Sequence, residues 1–219
     1  LAKLLAGACC DPNSVERFTG QANQYELLKT LLSKLGFDAV TPYLNLLGIR
    51  PEPGLAKAVA EGLGTRINSA AGDLRSFLGD PKTVTILAPF LESLSDLEPS
   101  PQIITVLEGY RTHKDVNVVE AVAELLSRAV SVNNLKDARR LLDSKDSTEQ
   151  RAGLRFFRQA GDESAAQVLV DFLININDTS WDRLAQRRAY ACLGEMRSHH
   201  GHDHLKKILT AKGLTGKLK

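Results

Sequence analysis

Apolar residues recur at helical spacing in one segment after another along this chain, and that property leaves few folds open to it. In residues 116–130, VNVVEAVAELLSRAV, the side chains of Val118, Val122, Leu125, Leu126, Ala129 and Val130 fall near i, i+3/i+4 and i+7, the stripe of an amphipathic helix. No window alternates for long in the manner of a strand. Gly36, Gly48, Gly64, Gly161 and Gly201 stand just past apolar runs, where a residue without Cβ adopts the left-handed cap most easily. Asp, Ser, Thr or Asn follows within a few residues, ready to cap the next helix. Pro89 interrupts an otherwise helical run and is expected to kink it. The pattern predicts an all-α protein of about a dozen short helices.

The pattern also repeats. Residues 137–162, DARRLLDSKDSTEQRAGLRFFRQAGD, read as a helix, a turn containing Asp146, and a second helix. Residues 169–196, LVDFLININDTSWDRLAQRRAYACLGEM, do the same around Asp178. Arg151, Ala152 and Phe156 map onto Arg188, Ala189 and Leu193 at one offset of 37 residues. Weaker copies lie upstream, and the first helices of the pairs are expected to begin near Asp38, Arg66, Pro101, Asn134, Glu163 and Asp203. That spacing, one unit per ~33 residues, lies within the range of helical repeat arrays. Residues 163–174 are apolar nearly all round and should be sandwiched between neighbours. Phe156, Phe157, Phe172, Leu173 and Leu193 are expected in the core.

An apolar helix, an Asp-containing turn, and a second helix with Val/Arg–Ala–Leu spacing resemble a HEAT repeat, closest to the bacterial HEAT-like, PBS-lyase-type variety. The resemblance runs over roughly residues 38–212 and is strongest over 115–212. It divides the chain into N-terminal helices packing on the end of the array (1–36), the repeats (37–212) and a basic tail (213–219). It implies a right-handed α-α superhelix, a solenoid of about five to six helix pairs whose second helices line the concave face. It implies no activity, because such stacks serve as binding surfaces. Two related families set the alternatives: DNA alkylation-repair glycosylases, which grip the phosphate backbone on a basic HEAT-like face, and bilin lyases. Aromatic content of 5% and a single Trp181 give no paired platform for stacking bases. No cysteine or aromatic constellation points to a tetrapyrrole.

Composition narrows the function classes. With 43% apolar residues the chain can build a core, yet no apolar stretch approaches the roughly 20 residues that cross a bilayer. Cys9, Cys10 and Cys192 give no disulfide framework, and a cytoplasmic, reducing setting is expected. Leu1 stands inside an apolar pattern and the only methionine is Met196, so the chain is expected to be a piece of a longer protein. A Gly-rich phosphate loop, a Gly-x-Ser-x-Gly elbow, His-Glu-x-x-His and Cys-x-x-Cys are all missing, so neither catalysis nor a cofactor is expected.

Four of the five histidines lie in Ser198-His199-His200-Gly201-His202-Asp203-His204. Read with Gly201 ending one helix and Asp203 capping the next, this is a turn. His199 and His200 then sit in a helix C-terminal turn, where imidazolium favours the dipole. His199, His200, His202 and His204 are also the chain's metal-ligand candidates, with only Asp203 nearby to orient them, and no resident metal is expected.

Charge is uneven. From residue 183 onward nine basic residues face Glu195 and Asp203, a net +7, which leaves −5 on residues 1–182 of a chain whose total is +2. Arg151, Arg155 and Arg158 share one helical face at i, i+4, i+7, opposite Phe156 and Ala160, and Arg183, Arg187, Tyr190 and Arg197 share another. Both helices are second members of their pairs. Guanidinium groups pair with carboxylate or phosphate in bidentate fashion, and Trp181 and Tyr190 can anchor a partner. The expected function is therefore a non-catalytic scaffold that binds an acidic protein segment on its C-terminal concave face. Nucleic acid is the alternative partner, and no membrane association is expected.

Overall fold

The computed structural model describes residues 40–94, 97–175 and 183–211, together with residues 29, 30 and 34. Among the described residues there are eleven α-helices and no strand. They fall into two compact units, one up to Ala129 and one from Val130.

The first unit contains α1 (Val40–Ile49), α2 (Pro53–Leu63), α3 (Ala71–Gly79), α4 (Leu87–Glu92), α5 (Pro101–Glu108) and α6 (Val116–Ser127), with 3₁₀ segments at Gly64–Ser69 and Pro81–Ile86. The second contains α7 (Leu135–Leu142), α8 (Ser147–Ala160), α9 (Glu163–Asn175), α10 (Arg183–Glu195) and α11 (His199–Ala211). Several starts are set by short polar side chains that accept from otherwise unpaired N–H groups of the first turn. Ser100 caps α5, with Pro101 preset at its first position. Asp115, Asn134 and Asp146 cap α6, α7 and α8. Gly161 ends α8 at φ 60°, the left-handed conformation that glycine enters without strain.

Packing follows one rule in both units. Each helix touches the next but one: α1, α3 and α5 pack in succession, as do α2, α4 and α6, and then α7, α9 and α11, and α8 with α10. The polar links between such neighbours carry the same period. Thr41 Oγ1 donates to Asp73 at 2.7 Å across 32 residues. The Asn68 amide donates to the Glu98 carbonyl and accepts from Ser100 N–H, 30 and 32 residues away. In the second unit the Cys192 thiol donates to the Leu154 carbonyl, 38 residues away. Arg158 meets Glu195 at 2.7 Å, and the Arg139 guanidinium lies 4.4 Å from the centre of the Phe172 ring. These separations bracket the ~33-residue repeat read from the sequence.

The apolar faces close into a core in each unit. Tyr43, Phe90 and Ile67 are fully buried in the first. Phe157, Leu169, Ala189 and Cys192 are fully buried in the second. As expected, α9 is sandwiched, touching α7, α8, α10 and α11.

Several expectations change. Phe156 is only half-buried, and its neighbour Phe157 takes the core position. Arg66 does not open a helix: its guanidinium turns back to the carbonyls of Leu63 and Gly62, capping the end of α2, and α3 starts at Ala71. Burial lowers its pKa. Gly48 is not a cap but an interior residue of α1. Pro89 does not kink a continuous helix. It falls in the first turn of α4, where its missing N–H has no partner to lose, and the chain breaks instead between the 3₁₀ segment and α4.

Candidate functional site

The arginines predicted to form a binding face lie on α8 and α10, two helices that pack directly on each other. The structure divides them by exposure. Arg151 is only 8 % exposed and belongs to the interior of α8. Arg155 is half-buried and its guanidinium donates to the Val130 carbonyl at 3.4 Å. Arg158 is exposed at the end of α8 and bridges to Glu195 at the end of α10. Arg187 is exposed and Tyr190 half-buried on α10. Arg183 begins α10. Trp181 lies outside the described residues. Arg197 is exposed but is not part of α10, which ends at Glu195. Arg188, one residue from Arg187, is half-buried, and desolvation lowers its pKa. Among the described residues neither Arg187 nor Arg197 forms an ion pair.

The histidine-rich stretch is not a turn. It is the start of α11, and Ser198, not Asp203, caps it by accepting from Gly201 N–H at 3.0 Å. His199 and His200 therefore stand at a helix N-terminus, not at a C-terminal turn. Their backbone N–H groups donate to the Glu163 carboxylate at 3.2 and 2.9 Å. The hydrogen bond from the Ser198 side chain, followed by that from His200 N–H, holds the Glu163 carboxyl below its usual pKa. Gly201 has a different reason to be glycine: a Cβ there would come 2.9 Å from a Leu193 methyl, so its absence lets α11 close on α10.

His202 and Asp203 are exposed, whereas His200 and His204, one helical turn apart, are half-buried. Burial lowers the pKa of His204, helped by the nearby His200 and Lys207 charges. Among the described residues no three His, Cys, Asp or Glu side chains cluster as metal ligands. None of the described helices is long and apolar enough to cross a membrane.

Sequence reading missed two features. The role of Glu163 as a cap on the helix 36 residues later leaves no local mark, although Asp162 and Ser198, the true helix starts, stand 36 apart. A cavity between α1 and α3, lined by Asp73, Asp80 and Phe77 among others, was not singled out because its two walls are separate in sequence.

No protein-family model matches this chain, and no curated protein resembles it significantly.

Proposed function

We propose that this chain is a non-catalytic, HEAT-like α-α solenoid of the cytoplasm. The second helices of its C-terminal pairs bind an acidic segment of another protein. Arg187 and Arg197 supply exposed charge, and Arg158 joins them when an incoming carboxylate replaces Glu195. Tyr190 offers an amphipathic ring beside them, and Arg155 extends the face. Arg151, being buried, keeps a packing role. The observation that carries this reading is the pair of exposed arginines, without ion-pair partners among the described residues, on and just beyond a helix that packs on another arginine-bearing helix. Guanidinium recognises carboxylates by two parallel hydrogen bonds, so such a face favours Asp and Glu over neutral segments.

The test is fluorescence anisotropy with a labelled twelve-residue Glu/Asp-rich peptide and, separately, a labelled DNA duplex. Arg187→Glu combined with Arg197→Glu should abolish peptide binding while leaving the helical circular dichroism intact. Unchanged peptide affinity in that variant removes this face from consideration. Tighter binding of the duplex, with log affinity falling steeply against log salt, would favour the nucleic-acid reading instead.

A further inference from the structure

The cavity between α1 and α3 lies in the first unit and has a volume of about 360 Å³. Its floor is apolar: Leu44 and Phe77 are buried beneath it, and Ile49, 65 % exposed, stands at its edge. Its polar lining carries one sign of charge on α3 and the residue that ends it. Asp73 contributes a carboxylate steadied by Thr41 Oγ1 at 2.7 Å. Asp80 uses Oδ1 to accept from Lys82 N–H at 2.9 Å, while Oδ2 lies 3.5 Å from where a Cβ on Gly48 would be.

That second oxygen is the unusual element. It reaches across to the C-terminal turn of α1, where backbone carbonyls already give a partial negative charge. Neither α1 nor α3 has a basic residue within its last turn, and Arg50, the residue after α1, pairs with Glu52 at 3.1 Å. Lys82 is the one cation among the lining residues, and it is exposed. Two helix C-termini and two carboxylates above an apolar floor fit a ligand with a positive head and an aliphatic body.

We propose that this groove is a second docking site, which receives a lysine or arginine side chain from a partner protein together with an adjoining apolar residue. The cationic head lies between Asp73 and Asp80, and the apolar side chain rests on Leu44, Phe77 and Ile49. With a basic face on α8 and α10, the chain would then recognise segments of opposite charge at separate sites.

The test uses the full ¹⁵N-labelled chain titrated with N-acetyl-leucyl-lysine amide. Saturable shifts are expected at the amides of Gly48, Ile49 and Asp80. Asp73→Asn and Asp80→Asn, which keep the polar side chains that bond Thr41 and Lys82, should each weaken binding about fivefold, the upper range for one exposed ion pair. No saturable shift at those amides, an equal response to N-acetyl-leucyl-glutamate amide, or an undiminished affinity in the double variant would overturn the proposal.

Discussion

Gly153→Ala isolates how tightly a helix pair is closed. Gly153 lies inside α8, and a Cβ built there would sit 2.8 Å from the Ala138 carbonyl of α7, 3.1 Å from a Leu142 methyl and 3.4 Å from Leu141 Cβ. A carbonyl oxygen of the backbone cannot swing aside as a side chain can. The helices must therefore part by roughly half an ångström, enough to forfeit about a quarter or more of the dispersion energy along the seam. Overpacking of this kind costs about 1–3 kcal/mol, whereas replacing a helical glycine by alanine gains about 1 kcal/mol. The variant should lose up to about 2 kcal/mol overall. Gly194→Ala makes the same chemical change in the same unit, but its Cβ would meet only a Leu205 methyl at an ordinary 3.7 Å. It should be neutral or gain up to about 1 kcal/mol. Urea unfolding followed at 222 nm measures both. If Gly153→Ala raises the midpoint as Gly194→Ala does, the close approach of α7 and α8 is wrong.

Other outcomes follow from single contacts. Asp146→Ala removes the carboxylate that accepts from Thr148 N–H at 2.7 Å and should lower stability by about 1 kcal/mol in the same assay, with Asp146→Asn much milder. Glu163 has a depressed pKa when folded, so its contribution is complete above the unfolded value of about 4.3 and is lost as pH falls through the folded value. Glu163→Gln should therefore flatten the loss of stability between about pH 5 and 3. His204 is also depressed, so the folded state loses stability as pH drops from about 6.5 through the folded value, and His204→Gln should flatten that part of the profile. Burial pushes the Cys192 thiol up to about 11. In a Cys9→Ser/Cys10→Ser background it should react slowly with a thiol reagent at pH 8, and faster as urea opens the fold. Immediate labelling of the native protein would contradict its burial.

Local signals in the sequence placed most helices, because caps and apolar spacing act within a few residues. The second helix read after the Asp146 turn and before Gly161 is α8, with Asp146 and Gly161 at its ends. The offset of 37 between Arg151 and Arg188 reappears in the Arg158–Glu195 ion pair, and the Cys192–Leu154 contact, 38 residues apart, falls one residue from it. Errors arose where one residue type serves two purposes. Gly201 looked like a cap but is a contact point for Leu193. Arg66 looked like the start of a helix but closes the preceding one. Exposure was the least legible property of the arginine face: Arg151 and Arg158 share a helical spacing, yet Arg151 lies in the buried middle of α8 and Arg158 in its exposed last turn. The Asp73–Asp80 groove depends on how α1 meets α3, and periodicity alone does not give that register.

Contact between alternate helices is best measured by nuclear Overhauser spectroscopy on protein labelled at methyl and aromatic groups. Cross-peaks should join the Leu154 methyls to the Cys192 β protons, the Phe172 ring to the Arg139 side chain, and the Thr41 methyl to Asp73. Silence at all three positions, with α7 found against α11 instead, would show that the helices do not pack in this order.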